Sequence, residues 1–377
     1  MSKTVFLLIR SLEIGGAERQ LALLAKGLHV LGVKVMVLTF YGNGPLAGEL
    51  VQAGVPVVSL KKAGRWDLFP FLWRLARELR KYRPHIIYSF LPVANVVAVL
   101  VKPFCSGLHV VWGVRASNVD AARHDWLSHA ILAIEARLSR IASKIIVNSH
   151  AGFQFHAGKG FPVEKMSVIP NGIDMQRFKF DPVARARWRL RLGLAEDDVL
   201  IGTCARIDPI KGYETFIEAA AMCIADRPDV RFVCIGDGDK CYRDELLAMA
   251  RGLGVGDERM IWLGNQSDIA AIYSALDIYT SASRSEGFSN AIAEAMSCDR
   301  ACVVTDVGDS AWIVDGAGYV VPGGDATAMA GAWLELISGG HAARERLGLQ
   351  ARGRISDIAS EQSMVDETFK VMGSLAG

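Results

Sequence analysis

The stretch Ser285 to Met296 combines two carboxylates with the predicted start of a helix. Ser289 and Asn290 are good N-cap residues, and a small apolar run follows them. A helix N-terminus presents unpaired backbone N–H groups and the positive end of the helix dipole, which suits a phosphate or a diphosphate. Because Glu286 precedes this start and Glu294 follows it, the stretch predicts an anion-binding seat between two acidic side chains.

Each of the two acids has a structural alternative. Glu294 is the only charged residue of a small, apolar helix, where a carboxylate is costly unless a polar group bonds to it. We expect that partner to be a ligand, and the alternative is a neighbouring loop. Glu286 follows Ser283 with the spacing of a capping box, in which it would only close the helix start. Gly287 and Phe288 would make a poor first turn, and Gly287 lets a phosphate come close, so we favour a role in binding.

A second segment supplies the cations that a diphosphate needs. Arg206 and Lys211 lie five residues apart, after a predicted strand, in a loop that ends at Gly212. Arg offers a planar fork of donors and Lys a point charge, so the two can converge on one diphosphate. The alternative is an exposed basic loop.

Paired glycines after the first predicted strand form a further candidate. Gly15 and Gly16 precede a helix and would let a phosphate or a sugar approach the backbone. Their spacing is not G-x-G-x-x-G, so this loop lacks the fingerprint of nicotinamide dinucleotide binding.

Other reactive side chains give weaker signals. Asp237 and Asp239 flank Gly238 and could hold Mg²⁺ or Mn²⁺, although we favour a tight turn between a strand and a helix. His124 and Asp125 could act as acid or base, although we favour a solvated loop. No histidine or cysteine spacing matches a zinc site, and seven Cys without redox spacing are typical of thiols in a reducing cytosol.

The elements that must position these residues alternate along the chain. Apolar runs rich in Val and Ile predict strands, and longer amphipathic runs between them predict helices. In the first half the predicted strands are Val5 to Ile9, Val33 to Thr39, Val55 to Leu60, Ile86 to Phe90, Val110 to Val114 and Lys144 to Asn148, with helices Ala17 to Leu31, Leu68 to Tyr82 and Trp126 to Ala142. In the second half the predicted strands are Val199 to Cys204, Val230 to Gly236, Met260 to Leu263, Ile278 to Thr280 and Ala301 to Thr305.

This order predicts the α/β class, with parallel sheets covered by helices on both faces. A length of 377 residues with 51% hydrophobic residues suits two cores. We predict two doubly wound Rossmann-like domains over 1–180 and 181–360, and a final helix over 361–377. Such sheets bind ligands at the carboxyl ends of their strands, so we expect a site in a central cleft between the domains.

Charge is distributed unevenly, although the net charge is only +2. Residues 1–180 hold 23 Lys and Arg against 10 Asp and Glu, whereas residues 181–377 hold 19 against 30. The basic half could face nucleic acid, anionic lipid or a phosphorylated substrate. Lys61 to Arg83 carries eight Lys or Arg, two acids and several aromatics, which suits an anionic membrane surface unless the aromatics pack in the core. The apolar runs are too short to span a membrane, and the first of them predicts a strand rather than a signal peptide.

Taken together, these motifs resemble those of the family 4 glycosyltransferases, which are retaining enzymes with the GT-B fold. The resemblance covers nearly the whole chain and depends on the order of the motifs rather than on any one of them. The motifs are Gly15-Gly16-Ala17-Glu18-Arg19, Ile169-Pro170-Asn171-Gly172-Ile173-Asp174, Arg206 to Gly212, Gly236-Asp237-Gly238, and Glu286 and Glu294 with Gly287-Phe288 between them.

The resemblance implies a role for each matching position. Arg206 and Lys211 would hold the donor diphosphate and stabilise the charge on the leaving nucleotide. Glu286 would contact hydroxyls of the transferred sugar, and Glu294 would contact the ribose. The other implied donor contacts are the loop at Gly287 with the backbone amides of Phe288, Ser289 and Asn290, the paired glycines Gly15 and Gly16 in the first domain, and Gly264 and Asn265 near the base.

One position departs from the family pattern. Many relatives carry a sugar-contacting His after the strand that corresponds to Val110 to Val114, and this chain has Arg115 there instead. Arg115 is the candidate replacement, with Asn118 or Asp120 as its helper.

The resemblance implies transfer of a sugar from a nucleotide diphosphate sugar to an acceptor, with retention at the anomeric carbon and without a bound metal or other cofactor. We favour a UDP-sugar over a GDP-sugar as donor. The basic half favours a lipid-linked saccharide acceptor over nucleic acid, as in bacterial cell-surface polysaccharide synthesis, in the cytoplasm and peripherally at the inner face of the membrane. The first domain would lie on the acceptor side, the second would bind the nucleotide sugar, and the final helix would cross back to the first. The alternatives are a nucleotide-sugar epimerase on the same fold and a catalytically silent binding module.

Overall fold

The structure is a computed structural model that describes residues 4–42, 44–64, 66–115, 133–195 and 197–375. The chain divides into two compact units. Unit 1 comprises Met1–Gly172 with Glu361–Gly377, and unit 2 comprises Ile173–Ser360. The polypeptide therefore leaves unit 1 once and returns to it near its end.

A parallel sheet forms the centre of unit 1. Its strands are β1 Thr4–Ile9, β2 Lys34–Thr39, β3 Val57–Ser59, β4 Ile86–Phe90, β5 His109–Val114, β6 Lys144–Val147 and β7 Met166–Val168. Among the described residues their order in the sheet is β3-β2-β1-β4-β5-β6-β7. Strand β4 is buried at every position, because helices cover both faces of the sheet.

Helices on the two faces of this sheet form two apolar cores. The helices are α1 Gly16–Val30, α2 Leu46–Gln52, α3 Leu68–Tyr82, α4 Pro92–Val101 and α5 His150–Gly158. One core contains the buried side chains of α1 and α2, and the other contains those of α3 and α4. On α3 the buried stripe is Phe71, Leu75 and Leu79, whose spacing of four residues places them on one helix face.

Unit 2 has its own parallel sheet with helices between the strands. Its strands are β8 Val199–Cys204, β9 Val230–Ile235, β10 Met260–Gly264, β11 Ile278–Ser281, β12 Ala301–Thr305 and β13 Tyr319–Val321. Its helices are α6 Pro182–Arg191, α7 Tyr213–Asp226, α8 Lys240–Gly252, α9 Ile269–Ala275, α10 Asn290–Ser297, α11 Ser310–Val314, α12 Ala326–Ser338 and α13 Gly340–Ala359. The described strands have the order β10-β9-β8-β11-β12-β13, so the direction of winding reverses between β8 and β11.

The last helix of the chain, α14 Glu361–Gly373, belongs to unit 1. Met364, Val365 and Met372 are buried in the same core as α1. Gly27 of α1 permits this packing, since a Cβ there would overlap the side chain of Val365. Helix α14 is therefore an integral part of unit 1, although 188 residues of unit 2 separate it from the rest of that unit.

The prediction of doubly wound α/β architecture is confirmed by the two parallel sheets. Three strands, β4, β8 and β12, have the predicted ends. The sequence does not predict β13, because a three-residue edge strand leaves too short an apolar run. The predicted helix Trp126 to Ala142 is described only from residue 133, and from there the chain is helical to residue 138 and continues as a 3-10 turn, Ser139–Ile141. None of the described helices is long and apolar enough to cross a membrane.

Candidate active site

A cavity of about 260 Å³ opens at the carboxyl ends of β8 and β11 in unit 2. Its walls include residues 203–206 at the end of β8, Lys211, residues 281–283 after β11 and residues 288–291 at the start of α10. These two strands are the neighbours at which the winding of the sheet reverses. The cavity therefore lies where a doubly wound sheet binds its ligands.

The loop that carries the predicted cations is fixed against the end of β11. Asp208 caps a short 3-10 turn over Pro209–Lys211 through its side chain. Gly212 ends this turn with a φ of +65°, and a Cβ there would overlap the carbonyl oxygen of Ala282. Only glycine combines this backbone conformation with so close an approach, and the result is that Lys211 is held beside the cavity.

Lys211 and Glu286 form an ion pair in the cavity wall. Lys211 Nζ lies 2.6 Å from Glu286 Oε1, and the Ser283 hydroxyl donates to the same oxygen at 2.7 Å. The Ser283 carbonyl in turn accepts a hydrogen bond of 2.6 Å from the Thr305 hydroxyl. Both side-chain donors act on Oε1, so the carboxylate is held in one orientation and Oε2 is the oxygen that a ligand hydroxyl can reach.

Helix α10 begins at the cavity. Its N-cap is Ser289, whose side chain makes no capping hydrogen bond, and its first residues line the cavity. The first N–H groups of an α-helix have no partner within the helix, so this end favours an anion. The capping-box alternative for Ser283 and Glu286 is wrong, because both residues precede the N-cap. Their side chains bond to each other instead.

Arg206 is the exposed cation of the cavity wall. Its side chain is 71% exposed, and its Nη2 lies 3.2 Å from Asp208 Oδ2. An exposed ion pair of this kind contributes little stability, so Arg206 can turn onto an incoming anion at little cost. Arg206 and Lys211 are thus brought together around one cavity with Glu286, which lies 75 residues after Lys211.

Glu294 lies on α10 just beyond the residues that line the cavity. The Tyr273 hydroxyl, on α9, donates to Glu294 Oε2 at 3.3 Å, and the side chain of Tyr273 is fully buried. Burial raises the pKa of Tyr273 well above its ordinary value, so the phenol stays protonated and remains a donor. The sequence gives no signal for this contact, because Tyr273 lies 21 residues before Glu294 on another helix.

Gly15 and Gly16 lie in unit 1, after β1. Gly15 is the N-cap of α1, and Gly16 is its first residue. The carboxylate of Glu18, in the first turn of the same helix, lies where a Cβ on Gly15 would be. The glycine therefore makes room for a side chain of its own helix, a role that its position in the sequence does not indicate.

Arg115 follows β5 at the carboxyl edge of the sheet in unit 1. Its guanidinium lies 4.8 Å from the ring centre of Phe90 and donates a hydrogen bond to the side-chain oxygen of Asn171. Among the described residues, its Nε is buried and has no hydrogen-bond partner. The other candidates of this region lie outside the described residues, and they are Asn118, Asp120, His124 and Asp125.

Gly264 and Asn265 lie at the carboxyl end of β10, where the Gly264 carbonyl accepts a hydrogen bond of 2.9 Å from the N–H of Gly236. Within the described part of the chain they are not among the residues that line the cavity. The nearby acids lie in the short connection between β9 and α8, as predicted, where Asp239 caps α8 and Asp237 pairs with a helical arginine at 3.2 Å. In the described ranges no cluster of three or more His, Cys, Asp or Glu is suited to hold a metal ion.

The cavity can hold a diphosphate with a hydroxylated group beside it. Lys211, Arg206 and the start of α10 supply positive charge and N–H donors, which suit phosphate oxygens. The carboxylate of Glu286 supplies an acceptor for hydroxyls on the neighbouring group.

Two family models match the chain and together span most of it. The model described as Glycosyltransferase Family 4 matches residues 14–177. The model described as Glycosyl transferases group 1 matches residues 198–339, which include the whole cavity of unit 2.

Relatives with assigned names are glycosyltransferases. The D-inositol 3-phosphate glycosyltransferase of Thermobispora bispora is 27% identical over 86% of this chain and 82% of its own length. The N-acetylgalactosamine-N,N'-diacetylbacillosaminyl-diphospho-undecaprenol 4-alpha-N-acetylgalactosaminyltransferase of Campylobacter jejuni is 24% identical over 79% of each chain.

A solved structure of HepE from Anabaena in complex with UDP shares the fold of this chain. It superposes with a TM-score of 0.86 at 25% identity, over 99% of this chain and 100% of HepE. HepE in complex with UDP-glucose gives a TM-score of 0.85 at the same identity, over 98% of this chain and 99% of HepE. The family models, the relatives and the shared architecture agree that the chain is related to the glycosyltransferases, with the family 4 model matching residues 14–177, and that it has the predicted GT-B fold.

Proposed function

We propose that the protein transfers a sugar from a UDP-sugar to a saccharide acceptor, with retention of configuration at the anomeric carbon. The observation that carries the proposal is the convergence of Arg206, Lys211 and the start of α10 on one cavity beside Glu286. Support for UDP comes from the complexes of HepE with UDP and UDP-glucose. A GDP-sugar is the second candidate donor.

Each group of the cavity has one task in this proposal. Lys211 and Arg206 bind the diphosphate and neutralise the negative charge that develops as the nucleotide leaves. The backbone of residues 287–290 binds the same phosphates at the helix start. Glu286 accepts hydrogen bonds from hydroxyls of the transferred sugar, and Glu294 accepts them from the ribose.

The remaining predicted contacts lie at other strand ends. In unit 1, the proposed acceptor side, Gly15 and Gly16 approach the donor phosphates, and Arg115 takes the place of the family's sugar-contacting histidine. In unit 2, the proposed nucleotide-sugar side, Gly264 and Asn265 contact the base. Asn118, outside the described residues, remains the proposed helper of Arg115.

Glu286 is not proposed as a nucleophile. Its Oε1 already accepts from Lys211 and Ser283, and such donors stabilise the carboxylate and lower its nucleophilicity. Retention is inferred from the resemblance to family 4, whose members react on one face of the sugar. The cations Lys211 and Arg206 supply the positive charge, so we propose that transfer needs no bound metal or other cofactor.

A lipid-linked saccharide at the inner face of the cytoplasmic membrane is the proposed acceptor, as in cell-surface polysaccharide synthesis. The relative from Campylobacter jejuni supports this class, since its name specifies a diphospho-undecaprenol acceptor. Trp66, which lies just before α3, and Phe69 and Trp73, which lie on α3, are 91%, 83% and 62% exposed. Arg77 lies 5.4 Å over the ring of Trp73. Exposed aromatics beside cations suit the headgroup region of an anionic membrane.

Arg74 is a structural residue rather than part of this surface. Its guanidinium pairs with Asp67 and donates a hydrogen bond of 2.8 Å to the Leu60 carbonyl. It therefore holds the loop that precedes α3, and a test of membrane binding must leave it intact.

Charge reversal on α3 tests the membrane surface. The double variant Arg77→Glu with Lys81→Glu should sediment several-fold less with phosphatidylglycerol vesicles at low salt, and the difference should shrink at high salt. The matched control is Arg187→Glu with Arg346→Glu, which reverses two exposed arginines of unit 2. Equal sedimentation of the two double variants would remove the membrane surface from the proposal.

A panel of UDP-, GDP- and ADP-sugars with lipid-linked and free saccharide acceptors tests the reaction. We expect nucleoside diphosphate to be released only when an acceptor is present. The anomeric proton coupling of the product, compared with that of the donor, reports retention or inversion. An isomerised donor would instead identify an epimerase, and binding without turnover would identify a silent binding module.

A further inference from the structure

A buried serine holds the carboxylate of Glu286 from the loop that follows β11. The Ser283 hydroxyl donates to Glu286 Oε1 at 2.7 Å, and Lys211 Nζ lies 2.6 Å from the same oxygen. Ser283 is 2% exposed. The carboxylate is therefore held by two donors of different kinds, a neutral hydroxyl in the packed interior and a charged ammonium in the cavity wall.

Strand β12 fixes Ser283 in turn. The fully buried Thr305 hydroxyl lies 2.6 Å from the Ser283 carbonyl oxygen and 3.4 Å from that of Ser281, so its single proton goes to Ser283. The Ser281 hydroxyl donates to the Ser283 hydroxyl at 3.4 Å, which leaves the Ser283 proton for Glu286. Because its backbone is bonded and its surroundings are packed, the Ser283 hydroxyl is a fixed donor.

The loop after β12 also fixes the backbone of Glu286. Gly308 has a φ of +57°, and a Cβ there would overlap the Glu286 carbonyl oxygen. The N–H of Asp309 donates to the Gly287 carbonyl at 3.1 Å. The remaining freedom of Glu286 lies in its side-chain rotamers, and ordering these on ligand binding would weaken affinity.

A bound diphosphate would compete with Glu286 for Lys211. One ammonium would then serve two anions, and its hold on the carboxylate would weaken as it moved towards the phosphate oxygens. Ser283 is neutral and is held through its backbone, so a diphosphate exerts no comparable pull on it. The carboxylate thus keeps one of its two donors when a nucleotide sugar binds.

We propose that Ser283 is a positioning residue for the transferred sugar, in that its hydroxyl keeps Glu286 in the orientation that meets the sugar while Lys211 turns to the diphosphate. Thr305 supports Ser283 through its carbonyl group. The inference rests on the proposed function, because it needs Glu286 to contact the sugar and Lys211 to contact the diphosphate. A serine with a purely structural role would behave differently, since its loss would weaken the binding of nucleotide and nucleotide sugar alike.

Calorimetric binding to the wild type and to Ser283→Ala tests this inference. The probes are whichever of the UDP-, GDP- and ADP-sugars the wild type binds most tightly, and the nucleoside diphosphate that corresponds to it. Ser283→Ala should change Kd for the diphosphate by less than about twofold. It should raise Kd for the nucleotide sugar about tenfold and lower kcat/KM about as much, since hydrogen bonds to a charged group are strong.

Further variants separate positioning from general destabilisation. Thr305→Val removes the supporting hydroxyl and should raise Kd for the nucleotide sugar about threefold, whereas Thr305→Ser keeps the hydroxyl and should restore most of the affinity. Adding Ser283→Ala to Glu286→Gln should change this Kd little further. The matched control is Ser297→Ala, which removes a buried hydroxyl that donates at 2.8 Å to a carbonyl of its own helix and should leave both Kd values unchanged.

Each outcome has a definite meaning. Unchanged nucleotide-sugar binding and turnover in Ser283→Ala overturn the inference and leave the proposed function standing. An equal loss of nucleotide and nucleotide-sugar binding also overturns it, because that loss indicates a structural role. A wild type that binds no nucleotide sugar overturns the proposed function and this inference with it. If the melting curve shows that Ser283→Ala does not fold, equal nucleotide-sugar binding by Thr305→Val and Thr305→Ser overturns the inference instead.

Discussion

The two ends of the sheet in unit 2 each carry a charged cavity, but the charges serve different purposes. The cavity at the amino ends of β8 and β11 is the larger, at about 550 Å³, and Arg185, Arg189 and Asp277 are in its wall. The cavity at the carboxyl ends measures about 260 Å³. Size and number of charges would therefore favour the amino end as the binding site, whereas the partners of the charged groups favour the carboxyl end.

At the amino end the arginines bind other parts of the chain. Arg185 Nη2 and Arg189 Nη1 lie 2.6 and 3.0 Å from the two oxygens of Asp277. Arg185 also donates to the backbone carbonyls of residues 274–276, at the end of α9 and directly after it, and Arg300 donates to the last of these. This cluster joins α6 and α9 to the sheet, and it is a structural network.

At the carboxyl end the cations have partners that a ligand can replace. Lys211 shares the Glu286 carboxylate with Ser283. Among the described residues, the exposed Arg206 pairs only with its loop neighbour Asp208. A phosphate can compete for such side chains without breaking a backbone contact. A binding site is thus distinguished from a structural network by the partners of its charged side chains, rather than by the size of the cavity.

Lys211→Ala should have the largest effect that this comparison predicts. Without the ammonium, the departing diphosphate loses a fixed cation, so kcat/KM should fall about a thousandfold, or ~4 kcal/mol of transition-state stabilisation. The urea midpoint should change little. The matched control is Lys240→Ala, an exposed lysine at the start of α8. Near-normal turnover of Lys211→Ala would contradict the proposed diphosphate site.

Asp277→Asn should have the next largest effect, and on stability rather than on catalysis. The variant leaves the buried Arg189 and the partly buried Arg185 without their counter-charge, so the free energy of unfolding should fall by about 3 kcal/mol. Kd for UDP should change little in the folded protein. A stable variant with weakened nucleotide binding would reverse the assignment of the two cavities.

The shifted pKa of Asp277 predicts that the stability of the protein depends on pH. Burial alone would raise the pKa of Asp277, but the charges of Arg185 and Arg189 and the Leu200 N–H outweigh it and hold the pKa below its ordinary value. This stabilisation is fully present above the ordinary pKa of about 4 and is lost as the pH falls through the lower pKa of the folded state. The urea midpoints of the wild type and of Asp277→Asn should therefore converge below about pH 4.

Glu135 in unit 1 gives the smallest predicted effect. Its contribution to stability falls as the pH rises, which is the opposite of the dependence predicted for Asp277. It accepts a hydrogen bond of 3.2 Å from the neutral Asn95 amide, and burial raises its pKa to about 7. Stability is then highest below about pH 4.5 and falls as the pH rises to 7, because the Glu135 carboxyl ionises readily only in the unfolded state. Glu135→Gln should be more stable than the wild type at pH 8, by on the order of 2 kcal/mol, and this advantage should shrink towards pH 5. An advantage that does not vary with pH would contradict the shifted pKa.

Much of the architecture could be predicted because the strands of both sheets are covered on both faces. Such strands are continuous apolar runs, and the ends of β4, β8 and β12 coincide with the ends of those runs. The gathering of Arg206, Lys211 and Glu286 could also be predicted, since parallel strands bring their following loops to one edge of the sheet.

The contacts that orient the two acids could not be predicted. Ser283 and Glu286 have capping-box spacing, but the helix begins after both of them, so their side chains bond to each other in a loop. Tyr273 reaches Glu294 only because α9 packs beside α10. Such contacts depend on how helices pack in three dimensions, and the spacing of residues along the chain does not predict them.

The return of α14 to unit 1 has a consequence for synthesis on the ribosome. The core that contains Leu21, Leu24 and Leu28 of α1 also contains Met364, Val365 and Met372, which are made more than 330 residues later. Unit 2, Ile173–Ser360, is contiguous in sequence, so the whole of it is synthesised before α14 is made. Until α14 has been made, the nascent unit 1 exposes the apolar surface that α14 covers. Unit 1 is therefore the part of the chain that a chaperone would protect longest.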